Sequence, residues 1–241
     1  MKRPRILCSD FILDIFFPNF CPGCGRTVPW DDVFCKKCAS KLEYLEELPW
    51  QALFPAEING ETPLFDGAEA LFQYKGTAKA AVLRFKNGSA LKFADYVAER
   101  IVLKLDTDKF EKPDIITAVP MHRKKQAERT YNQAQVFAKA MAKQLGCDMD
   151  FKLLGHKKSS VVQHKRSRSE RFKAADETYY IRKKANRLDG KCVMICDDIF
   201  TTGATLNSCS GLLKKLGANK VIVVTMCRTE NKKKSPLNEQ R

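Results

Sequence analysis

The sequence predicts an α/β domain built on a parallel sheet, preceded by a small zinc-ribbon-like module. Three observations carry this. The runs 192–196 and 220–226 are short and apolar, without polar alternation, as strands buried on both faces are. Stretches of helical periodicity lie between such runs, the pattern of a parallel sheet covered by helices. Ahead of this region stand four cysteines in two C-x-x-C pairs.

The chain has 241 residues, 44% of them hydrophobic, enough for one sizeable core with a small satellite. Residues 1–20 place Ile6, Leu7, Phe11, Ile12, Ile15 and Phe16 on one face of a short amphipathic helix. Asp10 and Asp14 interrupt the apolar stretch and no small-residue cleavage site follows, which argues against a signal peptide. That face either packs on the protein itself or docks on a membrane or partner. No window approaches the roughly 18 apolar residues of a membrane helix.

Residues 21–48 form the cysteine module. Within C-P-G-C-G-R-T-V-P-W-D-D-V-F-C-K-K-C, each pair has two intervening residues, so both thiolates turn toward one point. Cys21, Cys24, Cys35 and Cys38 then make a closed four-sulfur site suited to structural Zn2+. An iron–sulfur centre takes the same four thiolates, so spacing alone leaves it open. The other six cysteines are scattered, which suits a reducing cytoplasm better than a disulfide scaffold.

Residues 49–65 contain three prolines and read as a linker. The main domain spans 66–229. Its expected elements are a strand over 68–74, helices over 77–85 and 92–105, and a strand over 114–119. A helix over 132–145 stops at Gly146, and after the strand 192–196 a second helix, 205–216, stops at Gly217. The strand 220–226 follows, and 230–241 reads as a disordered basic tail. The net charge of +15 favours polyanionic partners.

Residues 193–205 read V-M-I-C-D-D-I-F-T-T-G-A-T. Ligands of an open parallel sheet bind beyond the carboxyl ends of its strands, where Asp197 and Asp198 are expected. The stretch Ile199, Thr201, Thr202, Gly203, Ala204 and Thr205 then leads into a helix. Its N–H groups and hydroxyls suit a phosphate, and Gly203 lets the backbone come close. Carboxylates repel phosphate and suit hydroxyls one sugar away. The implied ligand is a ribose 5-phosphate. No G-K-[ST] of a Walker loop is present.

This stretch resembles the phosphoribosyl-pyrophosphate signature of the type I phosphoribosyltransferases. The resemblance implies Mg2+ bridging pyrophosphate and ribose hydroxyls, a second phosphate loop at 118–124 with Arg123 and Lys124 as contacts, and a hood over 152–173. That hood carries eight Lys or Arg against Glu170. The order of the four-cysteine module, Y-K-G-T-A-K-A-A-V-L-R-F-K-N-G at 74–88, V-P-M-H-R-K-K-Q-A-E-R-T-Y-N-Q at 119–133 and the 193–205 motif is similar to the ComF family of competence proteins. Arg129, Asn132 and Gln133 stand where that family shows R-G-[FY]-N-Q, with Thr130 replacing the glycine. Gln163 and Arg171 match its Q…R pattern, and Phe172 stands where asparagine is common.

The resemblance implies a part in taking up transforming DNA on the cytoplasmic side, with membrane association through partners in the competence machinery. One reading is a protein that binds phosphoribosyl pyrophosphate and acts with incoming single-stranded DNA. The basic hood, the basic segment 182–191 and the aromatics Phe172, Tyr179 and Tyr180 suit it. A second is an active phosphoribosyltransferase with a nucleobase or amine acceptor, for which His122, His156 and His164 are proton-transfer candidates. A third is a binding-only sensor that kept the pocket without turnover. Acceptor and oligomeric state are not legible.

Overall fold

The computed structural model describes residues 18–46, 49–58, 60–105, 111–157 and 178–230. The expected N-terminal helix, apart from residues 18–20, lies outside these residues. So do most of the hood, with His164, Gln163, Arg171 and Phe172, and the tail beyond residue 230.

Five strands form one parallel sheet in the order β1 (Gly67–Gln73), β7 (Lys220–Arg228), β6 (Cys192–Phe200), β2 (Ile115–Ala118) and β3 (Asp148–Met149). Strands β4 (Leu154–His156) and β5 (Tyr179–Ile181) pair antiparallel in a separate two-stranded sheet. From β2 the chain moves outward to β3, and from β6 it moves the other way to β7. The β6/β2 boundary is therefore the topological switch point, where the connections diverge and leave a crevice at the strands' carboxyl ends.

Strand β6 runs to Phe200, four residues past the expected end. Residues 197–200 continue to pair with β7, through Asp197 opposite Thr225 and Phe200 opposite Arg228. On the other side, β2 pairs only up to Ala118 opposite Cys196. Asp197 and Asp198 thus hold one strand neighbour and face open space where β2 has ended.

Alternation along β6 sends Met194 and Cys196 to one core and Val193 and Ile195 to the other. The first core lies under α3 (Gly76–Lys86), α4 (Lys92–Lys104) and α6 (Gln133–Leu145). The second lies under α7 (Ala204–Lys215). The proline-containing stretch 49–65 contributes to it a short helix, α2 (Trp50–Leu53), and the buried Phe54, Ile58 and Phe65, so it covers the sheet as well as connecting.

The cysteine module, with its single helical turn α1 (Lys36–Ala39), docks on the first core. Phe34 packs edge-on to Phe93 and Tyr96 at 5.8 and 5.1 Å. Its exit segment bridges to β1 antiparallel at Tyr44 opposite Phe72: Leu45 N–H donates to the Leu71 carbonyl at 2.9 Å, and Gln73 N–H donates to the Glu43 carbonyl at 2.9 Å. This covers the β1 edge, which would otherwise offer unpaired backbone groups.

A helix that the sequence pattern does not reveal, α5 (Arg123–Arg129), follows β2 and buries no residue. It ends at Thr130 with φ 64°, the one non-glycine residue at positive φ among the described residues. A β-branched side chain is strained in this left-handed conformation. Replacing Thr130 with glycine relieves about 1–2 kcal/mol of that strain against about 0.5–1 kcal/mol of added chain entropy. Thr130→Gly is therefore expected to raise stability by up to about 1 kcal/mol, read as a higher midpoint in urea unfolding with an unchanged slope.

Candidate functional site

Beyond the β6/β2 boundary lies a cleft of about 230 Å3. Asp197, Asp198 and Thr205 line it together with Lys86, Lys125, Arg129, His122, His156 and Tyr179, and the amides of Asn132 and Gln133 complete the polar lining. Two successive carboxylates on a strand point to opposite faces. Asp198 meets Lys86 at the end of α3, Nζ to Oδ2 3.0 Å, with both side chains largely buried. Asp197 lies on the other side, where its charge acts on Tyr179 and Cys209. Its Oδ1 accepts the Asp198 N–H at 2.8 Å. Burial first, and the Asp198 charge second, push the Asp197 carboxyl up to about 8.

Three residues of one short stretch place Lys86. The Tyr131 hydroxyl donates to the Phe85 carbonyl, and Gln133 Nε2 donates to the Lys86 carbonyl at 3.1 Å. These are carbonyls that a helix end leaves without intrahelical partners. Arg129 Nη1 holds Gln133 Oε1 at 3.2 Å. Asn132 caps α6 by accepting the Ala134 N–H and donates to the Val119 carbonyl at 3.0 Å, tying down the loop after β2. The R-T-Y-N-Q stretch thus frames the cleft on two sides.

The loop from β6 into α7 is the turn 201–203. Gly203 has φ 80°, and a Cβ there would stand 2.6 Å from the Phe200 ring and 2.7 Å from Ile58. Glycine is required on both counts. Of the loop residues, Thr205 lines the cleft; Thr201 is exposed, Thr202 partly so, and Ala204 is buried beside the Gly203 cap. Ile199 is paired within β6. Arg123 and Lys124 are exposed on the first turn of α5, and the same helix turns Lys125 and Arg129 to the cleft instead. His122 and His156 both line it. Besides Lys125, Lys86 is a site residue that sequence reasoning missed. Its one signal was its place in the F-K-N-G stretch, and no periodicity foretells contact with a strand over a hundred residues away.

The second site is the cysteine module. The Sγ atoms of Cys21, Cys24, Cys35 and Cys38 lie within 4.8 Å of one another, with Cys24 and Cys35 at 3.8 Å. Tetrahedral zinc at its usual bond length holds sulfurs about 3.8 Å apart, so the four thiols fit that ion and leave no open position. The Cys35 N–H donates to Cys21 Sγ at 3.4 Å. Arg84 of α3 donates through Nη1 to the Pro22 and Gly23 carbonyls at 3.0 and 2.8 Å. Gly23 sits so close to α3 that a Cβ would meet Thr77 at 2.7 Å.

A parallel sheet with an acid pair at its switch point, behind a four-thiol knuckle, defines a phosphoribosyltransferase-type domain with a zinc ribbon in front. Residues 131–240 match the phosphoribosyl transferase domain and residues 12–49 the double zinc ribbon domain. The chain is 25% identical over 211 residues to the DNA utilization protein YhgH of Salmonella typhimurium, covering 88% of this chain and 85% of that one. It is 24% identical over 214 residues to competence protein F of Haemophilus influenzae, covering 87% and 90%. These homologues, with the two domain matches, support the ComF-family resemblance. Among solved structures, a hypoxanthine phosphoribosyltransferase from Staphylococcus aureus aligns at TM-score 0.39 and 19% identity, over 57% of this chain and 64% of that one.

Two predictions follow from this geometry. The knuckle residues Cys21, Val28, Phe34, Cys38 and Leu42 belong to the main core, so the ribbon and domain unfold together. Cys35→Ser/Cys38→Ser is expected to lose one zinc per chain by metal analysis and to lower the single melting transition of the whole protein; an unchanged melting temperature would count against shared folding. The second concerns Asp197. Its folded value of about 8 lies above the ordinary 3.8, so the native state holds a proton that the unfolded chain releases. The stability this contributes is full below the unfolded value and is lost as pH rises from about 4 through about 8. Asp197→Asn should flatten that slope and raise the melting temperature at pH 8 relative to the parent chain.

Proposed function

We propose that the cleft binds the ribose 5-phosphate end of phosphoribosyl pyrophosphate, and that the protein takes part in DNA uptake. The carrying observation is the register step at Ala118 and Cys196, which leaves Asp197 and Asp198 without a β2 neighbour directly before the turn into α7. Ribose hydroxyls donate to the two carboxylates. The phosphate meets Thr201, Thr202 and Thr205 and the first N–H groups of α7, with Ala204 and Gly203 keeping the approach open. Ile199 fixes the strand that aims the pair. Lys86, Lys125 and Arg129 supply positive charge for the pyrophosphate, with Arg123 and Lys124 at the outer rim.

Mg2+ fits this site as a cation held mainly by ligand oxygens and water, with Asp197 and Asp198 as its protein neighbours. When bound it offsets the pyrophosphate charge. The cation of Lys86 already offsets Asp198, so Asp197, whose carboxyl holds its proton up to about 8, is the one that a bound cation would ionise.

The names of the homologues support the DNA role, as does the basic surface. Arg182, Lys183 and Lys184 are exposed beside Tyr180, and lysine and arginine with an exposed ring suit single-stranded DNA. No described helix is long and apolar enough to cross a membrane. Action on the cytoplasmic face, with competence proteins as partners, completes this reading. A second reading, transfer of the phosphoribosyl group to a nitrogen acceptor, is favoured by the two histidines in the same cleft.

The test is calorimetric titration of phosphoribosyl pyrophosphate with Mg2+ into the parent chain and into Asp197→Asn/Asp198→Asn. Binding to the parent alone is expected. Equal binding to both would remove the acid pair from the site, and binding to neither would overturn the sugar-phosphate reading.

A further inference from the structure

One wall of the cleft is a row of three rings drawn from separate segments. His122 precedes α5, His156 ends β4, and Tyr179 begins β5 opposite it in the ladder. His122 and His156 have ring centroids 5.1 Å apart at 76°, and His156 and Tyr179 5.3 Å at 76°. Tyr179 in turn lies against Thr205 and within reach of the Asp197 charge. The row therefore starts at the loop after β2 and ends at the acid pair.

The backbone fixes the two imidazoles in opposite tautomers. His122 Nδ1 accepts the Lys124 N–H at 3.2 Å, so the neutral ring carries its proton on Nε2. His156 Nδ1 lies 2.7 Å from the Lys157 carbonyl. A carbonyl only accepts, so Nδ1 donates there and Nε2 keeps its lone pair. Adjacent rings thus offer one donor and one acceptor. An edge that complements them has a hydrogen-bond acceptor beside an N–H, as the lactam and amidine edges of nucleobases do. Ammonia and alkyl amines lack the acceptor.

We propose that His156 Nε2 is the proton acceptor of this cleft and that His122 Nε2–H orients the incoming group, a planar nitrogen heterocycle presenting its N–H edge. This rests on the phosphoribosyl reading of the same cleft. The acceptor nitrogen attacks the anomeric carbon, and the bond from that carbon to the pyrophosphate oxygen breaks. Pyrophosphate leaves with the electron pair. The proton of the acceptor N–H passes to His156 Nε2 and then to solvent. Three features suit His156 to this task. Burial first, with the Lys125 charge nearby, holds its imidazole below the ordinary histidine range against the opposing Lys157 carbonyl, and protonation of His122 would push the same way. Tyr179, raised by burial, stays a neutral phenol. The Lys157 carbonyl fixes which nitrogen is the base.

The test uses the full chain with zinc, Mg2+ and phosphoribosyl pyrophosphate, with hypoxanthine, guanine, adenine and uracil as probes and ammonia as the contrast. Pyrophosphate release is followed from pH 5 to 8.5, and binding of the donor is measured separately by calorimetry. At least one nucleobase, and not ammonia, is expected to drive release, with a rate that falls on the acid side below the ordinary histidine range. His156→Asn keeps a donor for the Lys157 carbonyl and removes the base. It should bind the donor unchanged, lose about 100-fold in rate and lose the acid limb. His122→Asn keeps an acceptor for the Lys124 N–H and should raise KM for the nucleobase while the acid limb stays. Donor binding without release by any nucleobase overturns this proposal and leaves the sugar-phosphate reading standing. An unchanged rate in His156→Asn overturns the assignment of the base. Absence of donor binding defeats both.

Discussion

The carboxyl end of α3 is the point on which the rest of the site depends. Three consecutive residues there face three parts of the molecule. Arg84 holds the carbonyls of the zinc knuckle, Phe85 fills the core between Phe93 and Tyr131, and Lys86 reaches Asp198. Helix ends leave carbonyls without i+4 partners; Gln133 satisfies that of Lys86, and Tyr131 adds a hydroxyl to that of Phe85, which also accepts the Gly88 N–H. A charged donor on a carbonyl is worth about 1.5–3 kcal/mol, so the Arg84 contacts are strong on the scale of domain stability. Moving this helix end would unseat the knuckle and uncover the acid pair together.

The acid pair is a destabilising feature that the fold retains. Successive strand residues place the two carboxyls on opposite faces, yet close enough for the Asp198 charge to act on Asp197. Lys86 compensates one of them. The other is left half-buried at the cleft and hydrogen-bonded to its neighbour's N–H. A core built only for stability would not leave a carboxyl in this condition, and clefts with such groups are where binding and chemistry concentrate. A ligand hydroxyl or a cation offered to Asp197 would supply what the fold withholds.

Much of the sheet was legible because residues 192–196 of β6 and 221–224 of β7 are continuous apolar runs, as strands covered on both faces are. The helix stops at Gly146 and near Gly217 were legible from backbone chemistry, since both glycines adopt positive φ. The extra length of β6 was not. Asp197 and Asp198 look like the end of a strand, and only the pairing with β7 shows that the ladder continues. Helix α5 escaped because it buries nothing and so has no apolar period to read. The 49–65 stretch reads as connection from its prolines, while its Phe54, Ile58 and Phe65 are spaced too irregularly to announce a covering role. Of the site, the acid pair and glycine turn were written locally. Lys86, the histidine row and Tyr179 come together only through the crossovers.

The zinc ribbon fits the same logic. A module of this size buries little on its own, and metal bonds supply what packing cannot. Here the ribbon gives its buried side chains to the core of the larger domain and the bridge at Tyr44 to the open edge of β1. Its inner face is therefore committed. Among the side chains it exposes are Phe20, Trp30, half exposed beneath the Lys92 ammonium at 3.5 Å, and Tyr44, whose hydroxyl meets Tyr96 at 3.1 Å. Anything that contacts the ribbon must use that outer surface, because the face toward α3 already holds Arg84 and, through two further residues of helix, the lysine of the cleft.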